Sequence, residues 1–186
     1  MTRIISGTAG GIRLAVPTAG TRPTSDRVRE ALFSSLESTG MLDGTAVVDL
    51  YAGSGALGLE SLSRGAGSCD LIERAQKAAQ VARRNSEAVA RATGVRAEVH
   101  AVAVQAFLRA AARTYDVAFL DPPYDVADDT LTADLLLLRP RLAADALVIV
   151  ERDKRSGAPQ WGAAGMRAVR DRAFGDTVLW WGEPVV

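Results

Sequence analysis

Two short motifs, each placed after an apolar run of strand type, constrain the fold of this chain more than any other feature. The motif G-S-G-A-L-G at residues 53–58 follows the apolar residues 46–50, and D-P-P-Y at residues 121–124 follows residues 117–120. Parallel strands end at the same edge of a sheet, and such sheets bind ligands in the crevice outside that edge. We therefore predict that both motifs line one cleft.

Segments of strand type alternate with segments of helix type from residue 45 onward. The predicted strands are residues 46–50, 68–72, 97–102, 117–120 and 146–151. The predicted helices are residues 56–64, 75–92, 105–113 and 130–138. This alternation is typical of an α/β fold whose mostly parallel sheet is covered by helices on both faces. Residues 166–172 and 177–181, around a short turn, predict a closing antiparallel pair of strands.

Residues 1–40 predict a small extension ahead of a main domain at residues 41–186. Two strand-like pieces around a glycine-rich turn predict a hairpin outside the main sheet, and a helix follows. Five arginines of this extension are candidates for binding phosphate, with surface ion pairs to Asp26 and Glu30 as the alternative. They are Arg3, Arg13, Arg22, Arg27 and Arg29.

Composition limits the remaining possibilities. The chain has 186 residues, of which 48% are hydrophobic, enough for one folded domain with a core. No run of about 18 apolar residues is present and the N-terminus lacks a secretory signal, so we expect a cytoplasmic protein. Because the chain has one cysteine, Cys69, and one histidine, His100, we expect neither a disulfide nor a metal site.

The glycine motif indicates a nucleotide-type ligand. Glycines at this turn permit close approach of a ligand to the backbone, and the pattern G-x-G-x-x-G between a strand and a helix is typical of dinucleotide sites. Glu73, at the end of the next predicted strand, is placed to accept hydrogen bonds from a ribose diol. Asp49, just before the turn, would repel a pyrophosphate but suits the ammonium group of S-adenosylmethionine.

The D-P-P-Y motif has no role in hydride transfer but suits transfer to an amino group of a nucleobase. The lone pair of such an amino group is delocalised into the ring, so Asp121 would accept its N–H bonds and stabilise the developing positive charge. Two prolines fix the backbone so that the Pro122 carbonyl can point into the cleft. Tyr124 offers an aromatic face for an extruded base, worth about 1–3 kcal/mol.

These motifs resemble those of a known family. Residues 49–58 resemble motif I of class I S-adenosylmethionine-dependent methyltransferases, and residues 121–124 resemble the N/D-P-P-Y/F motif of amino-group methyltransferases acting on nucleic-acid bases. The stretch R-P-T-S-D-R-V-R-E-A-L-F at residues 22–33 is similar to the N-terminal signature of the RsmD family. R-I-I-S-G at residues 3–7 and F-G-D-T at residues 174–177 are similar too, so the resemblance spans nearly the whole chain.

The resemblance implies a seven-stranded, Rossmann-like class I fold and methylation of the exocyclic N2 amino group of one guanine in 16S ribosomal RNA. S-adenosylmethionine would be the cofactor, and a monomeric enzyme would act on an assembling small ribosomal subunit, with the five arginines as RNA contacts. The catalytic candidates are Asp121, Pro122, Pro123 and Tyr124. The candidate cofactor contacts are Asp49, Tyr51, Gly53, Ser54, Gly55, Glu73, Arg74, Ala103, Val104 and Asp121.

One position departs from the family's pattern. Relatives often carry Asp or Asn at the position of Ala103, which would lie against the adenine. Either the backbone around Val104 holds the adenine instead, or the cofactor is held less tightly.

Three alternative functions remain at this stage. A DNA amino-group methyltransferase could use the same motifs, although 186 residues leave no room for a separate target-recognition domain. An NAD-binding oxidoreductase would share the glycine turn, and a non-catalytic RNA-binding module would share the arginines. Intact Asp121 and Tyr124 argue against the last of these.

Overall fold

A seven-stranded sheet is the main element of the computed structural model, which describes residues 2–17 and 25–185. Its strands are β3 (Ala46–Asp49), β4 (Ser68–Ile72), β5 (Glu98–His100), β6 (Tyr115–Leu120), β7 (Leu142–Asp153), β8 (Met166–Phe174) and β9 (Thr177–Pro184). The helices are α1 (Asp26–Ser38), α2 (Ala56–Ser63), α3 (Gln76–Thr93), α4 (Val104–Ala110) and α5 (Asp128–Leu138). A separate hairpin joins β1 (Thr2–Arg3) to β2 (Arg13–Leu14).

The strand order is β5-β4-β3-β6-β7-β9-β8. The pairs among β3 to β7 are parallel, and β9 runs antiparallel to both β7 and β8. The predicted α/β class with an antiparallel last pair is therefore confirmed. The strand order reverses between β3 and β6, so a crevice is expected outside their carboxyl ends.

Helices cover both faces of the sheet and create two buried clusters. On one face α1, α2 and the hairpin pack over the strands, with Phe33 against Phe119 at a ring separation of 5.7 Å. On the other face α4 and α5 contribute Leu108 and Leu135. Burial of each such side chain stabilises the fold by about 1.5–3 kcal/mol. In the described part of the chain, no helix is both long and apolar enough to cross a membrane.

Several elements end at other residues than predicted. The helix predicted for residues 105–113 ends at Ala110, and Ala111 is already extended. The reason is tertiary: the Arg113 guanidinium and the Tyr115 hydroxyl both reach Asp70 on β4, which draws the chain back toward the sheet. Strand β7 begins at residue 142, earlier than predicted, because its first residues pair with β6 across an irregularity in register.

The N-terminal hairpin is attached to α2, the helix that starts at the glycine turn. The backbone N–H groups of Ile5 and Ser6 donate to the Glu60 carboxylate at 2.8 and 3.0 Å. Gly7 lies so close to Ser63 that a Cβ atom would fall 1.9 Å from the Ser63 carbonyl oxygen, so only glycine fits there. The N-terminal extension is thus attached to α2, the helix that follows the glycine turn.

Candidate functional site

Both motifs lie at the carboxyl ends of β3 and β6, where the strand order reverses. Asp49 ends β3 and is in register with Phe119 of β6, so Asp121 lies just beyond the level of Asp49. The Asp121 carboxylate is near enough to raise the pKa of Asp49. The structure therefore brings the two motifs together at one edge of the sheet.

The glycine loop makes a tight turn between β3 and α2. Gly53 and Gly55 have φ angles of +53° and +82°, in the left-handed region that favours glycine. The Gly55 N–H donates to the Ala52 carbonyl at 2.6 Å and closes the turn. Gly58 serves packing instead: a Cβ there would lie 2.4 Å from Leu71 Cδ2 and 2.6 Å from Cys69 Sγ.

Gly58→Ala is expected to destabilise the fold by about 1–3 kcal/mol, because the added methyl overpacks the contact between α2 and β4. It should also weaken binding of S-adenosylhomocysteine, because a shift of α2 that relieves the overpacking would displace the residue 58 N–H from Asp49, to which it donates at 3.1 Å. Denaturant unfolding and calorimetric titration would measure the two effects. Gly94→Ala is the control, because Gly94 has φ +75° but open space around its Cβ. Gly94→Ala should lower the free energy of unfolding by about 1–2 kcal/mol through backbone strain and leave ligand binding unchanged. Unchanged stability and binding in Gly58→Ala would contradict the close-packing role of Gly58.

Asp49 is a buried carboxylate of the site whose pKa is strongly raised. Its side chain is buried, its Oδ2 accepts the Gly58 N–H, and its Oδ1 has no hydrogen-bond partner among the described residues. Burial first, and the charges of Asp121 and Glu73 after it, raise the pKa of Asp49 to about 7. An unpaired buried carboxylate oxygen in a negative environment favours a cationic ligand.

Glu73 follows β4 at the same edge and contacts the glycine loop. Its Oε2 accepts the Gly53 N–H at 3.1 Å, and its Oε1 accepts the Ala75 N–H at 2.7 Å. Each carboxylate oxygen can accept a further hydrogen bond, so the contacts are compatible with a ribose diol. The neighbouring Arg74 is exposed, and its charge acts on Tyr51.

Tyr51 links the glycine loop to the helix that follows D-P-P-Y. Its hydroxyl donates to the Asp134 carboxylate of α5, and burial together with this bond raises the pKa of Tyr51. Asp134 is itself buried, which raises its pKa. Sequence reasoning missed Asp134, although a carboxylate within the leucine-rich run of α5 is a signal that it has a buried partner.

The D-P-P-Y turn leaves β6 at the buried Leu120. Asp121 is half-buried, Pro122 is buried, and Tyr124 exposes 62% of its surface. The helix after the turn is held to the sheet by an ion pair between Asp128 of α5 and Arg152 of β7. The half-buried Asp121 and the exposed Tyr124 thus lie between β6 and a helix that is fixed to the sheet.

Ala103 and Val104 lie beyond the carboxyl end of β5, on the far side of β4 from the D-P-P-Y turn. Ala103 is the exposed residue that precedes α4, and the half-buried Val104 opens that helix. They lie at the same edge of the sheet as Glu73. The contact of these two residues with adenine stays a prediction.

Four of the five candidate RNA arginines lie in the described part of the chain, where some are exposed and one is buried. Arg3, Arg13 and Arg27 are exposed, and Arg22 lies outside the described residues. The expectation for Arg29 needs correction, because its side chain is 1% exposed and is ion-paired with Asp26 and close to Glu60. Its guanidinium is thus a buried part of the junction between α1, α2 and the hairpin.

A second polar cluster lies between β4, β5 and β6. Asp70 accepts hydrogen bonds from Arg113 and Tyr115 and contacts His100 Nε2 at 2.7 Å. Asp70, Glu98 and His100 converge closely enough for a cation. However, Arg113 ion-pairs with both carboxylates, so the cluster is already charge-compensated within the protein.

The seven-stranded sheet, with a glycine turn and a D-P-P-Y turn at its switch point, defines a class I methyltransferase. The family described as "Conserved hypothetical protein 95" matches residues 2–183. The chain belongs to this family, and the resemblance to RsmD-type methyltransferases is confirmed.

Individual relatives agree with this assignment. The chain is 37% identical over 158 residues to "Ribosomal RNA small subunit methyltransferase D" of Escherichia coli, covering 84% of this chain and 77% of the relative. A solved structure, "Putative methyltransferase yhhF" from Escherichia coli, matches with a TM-score of 0.82 and 33% identity over 98% of this chain and 97% of that one. The structure of a hypothetical protein from a Thermus species matches with a TM-score of 0.81 and 30% identity over 100% of both chains.

Proposed function

We propose that this protein transfers a methyl group from S-adenosylmethionine to the N2 amino group of a guanine in 16S ribosomal RNA. The observation that carries the proposal is the meeting of the glycine loop and the D-P-P-Y turn at one sheet edge. It occurs in a chain that is 37% identical to a ribosomal RNA small subunit methyltransferase D. We further propose a cytoplasmic, monomeric enzyme that acts on an assembling small subunit.

The residues at the glycine loop fit S-adenosylmethionine. The unpartnered Asp49 Oδ1 would accept from its ammonium group, and the Glu73 carboxylate would accept from its ribose. Asp49, Asp121 and Glu73 together make this edge negative, which suits a sulfonium and an ammonium but would repel a pyrophosphate. When bound, the cofactor supplies an electrophilic methyl group.

The D-P-P-Y residues would bind the target guanine and activate its amino nitrogen. Tyr124 is exposed and would stack on the extruded base. The Asp121 carboxylate and the Pro122 carbonyl would accept the two N–H bonds, which frees the nitrogen lone pair for attack and stabilises the positive charge that develops. The amino group loses a proton after transfer, and Asp121 is placed to accept it on the way to solvent.

Binding of S-adenosylhomocysteine is expected to tighten as pH rises through about 7, the pKa of Asp49. Below that pH the carboxyl is largely protonated and cannot pair with the ligand's ammonium group. The apparent Kd should therefore fall about eightfold between about pH 6 and pH 7.5, in proportion to the ionised fraction.

Calorimetric titration across this pH range measures the effect, and Asp49→Asn provides the comparison. The variant should bind more weakly and lose most of the pH dependence. A wild-type Kd that is constant over this range, or that rises with pH, would contradict an ionised Asp49 as the ammonium partner.

Nucleoside mass spectrometry tests the proposed reaction directly. Small subunits from a strain that lacks its own methyltransferase of this family would be incubated with the protein and isotope-labelled S-adenosylmethionine. We expect label in N2-methylguanosine from 16S RNA, with more on particles than on deproteinised RNA. Label in duplex DNA instead would favour the DNA methyltransferase alternative, and better turnover on deproteinised RNA would overturn the particle as substrate.

A further inference from the structure

Asn85, in the middle of α3, joins the N-terminal extension to the glycine loop. Its Oδ1 accepts the Ala15 N–H at 2.9 Å, and its Nδ2 donates to the Ala15 carbonyl at 2.9 Å and to the Ser54 carbonyl at 2.8 Å. A flipped amide would place its N–H groups against the Ala15 N–H, so these bonds determine one orientation. Asn85 as a whole residue is 4% exposed, so water would not readily replace these bonds.

We infer that Asn85 is a positioning residue. Its hydrogen bonds couple the conformation of the N-terminal hairpin to that of the glycine loop. Ser54 lies between the two left-handed glycines, Gly53 and Gly55, in the segment that must take one conformation to receive a ligand. Asparagine has a low helix propensity, so Asn85 does not stabilise the helix itself. It stabilises the fold through its three tertiary hydrogen bonds.

The hairpin is connected to the glycine loop through α2 as well. The helix α2 begins at that loop, and its Glu60 and Ser63 side chains accept backbone N–H groups from the hairpin turn. A shift of the hairpin is therefore transmitted to the loop both through α2 and through Asn85. The direct path through Asn85 is the shorter one, because a single amide contacts both segments.

The coupling is reciprocal, as any coupling of two binding events must be. Cofactor that orders the loop also restricts the hairpin, and RNA that holds the hairpin raises the affinity for cofactor. The second half of this statement rests on the proposed function, because it takes the extension to lie against RNA. The first half requires only that the loop binds the cofactor.

Titration with S-adenosylhomocysteine tests the inference on the whole chain. Asn85→Ala is expected to raise the Kd by about tenfold or more, within the usual range of coupling between sites. Ser86→Ala is the matched control, because Ser86 is equally buried on the same helix and donates to the Ala97 carbonyl, away from the loop. It should lower stability while leaving the Kd within about twofold.

Hydrogen exchange supplies a readout that a general loss of stability would not mimic. In the wild type, saturating S-adenosylhomocysteine should slow exchange both at residues 53–58 and in the hairpin at residues 4–11. In Asn85→Ala the ligand should still protect the loop but should protect the hairpin less than in the wild type, because only the path through α2 remains. Ala15→Pro removes the N–H that donates to Asn85, and proline is tolerated there because Leu14 before it is already extended. This variant should give the same pattern of exchange, and it replaces Asn85→Ala if that variant does not fold.

The outcomes separate the two proposals. A wild-type protein that does not bind the ligand overturns the proposed function and this inference together. A wild type that binds, with Asn85→Ala or Ala15→Pro binding equally well and protecting the hairpin as before, overturns this inference alone.

Discussion

Asp121→Ala is expected to lower the rate of methyl transfer by about 10²–10³-fold, the usual cost of removing one group that stabilises transition-state charge. Asp121 lies just beyond the buried end of β6, at the level of the glycine loop, where we propose that the methyl donor binds. Without the carboxylate, the amino group keeps its lone pair in the ring. Single-turnover assays with saturating cofactor measure this step apart from binding.

Cofactor binding should survive this substitution. The charge of Asp121 helps to raise the pKa of Asp49, so its removal should shift the pH dependence of S-adenosylhomocysteine binding to lower pH. Asp125→Ala, an exposed position in the same loop, is the control and should stay within about twofold of the wild-type rate. Normal turnover in Asp121→Ala, or complete loss of cofactor binding, would contradict the assigned role.

Glu60→Ala is expected to lower the free energy of unfolding by about 3–5 kcal/mol, because it removes one partner from a buried ion-pair network. Glu60 is fully buried; its Oε1 pairs with Arg64 at 2.8 Å, and its Oε2 is 3.7 Å from the buried Arg29. The same carboxylate accepts two backbone N–H groups from the hairpin, which would also lose their partner.

Glu37→Ala is the matched control, because Glu37 also pairs with Arg64 but its side chain is partly exposed, and Arg64 keeps its pair with Glu60 in this variant. A pair with one partly exposed partner contributes up to about 1 kcal/mol, so this variant should unfold near the wild-type denaturant concentration. Urea unfolding of both variants under identical conditions gives the comparison. Equal, small losses for both would show that the hairpin is not held by buried charge.

The sheet and the meeting of the two motifs could be predicted because their signals are local. Apolar runs such as residues 46–50 and 117–120 are followed by turn chemistry, and alternation with helices restricts the topology to few choices. The ends of elements were less predictable: α4 stops at Ala110 because Arg113 and Tyr115 bind Asp70, a contact across β4 and β6.

The polar groups that attach the extension and brace the site were missed because their partners are distant in the chain. Asn85 and Asp134 bond to residues 70 and 83 positions away, and no periodicity reports such pairs. Arg29 did carry a usable signal: it lies on the same helical stripe as Phe33 and Leu36, which faces the core. A charge on an apolar stripe requires partners where the helix packs, and here the exposed Asp26 and the buried Glu60 lie close to the Arg29 guanidinium.

A crystal structure of the protein with S-adenosylhomocysteine is the most direct test of the central claim, that donor and target base meet between the glycine loop and the D-P-P-Y turn. We predict the ligand's ammonium group at Asp49, its ribose hydroxyls at Glu73, and its sulfur facing the Asp121 carboxylate across a gap that admits a planar base. A ligand bound away from this edge, or a sulfur screened from Asp121 by protein, would contradict the account.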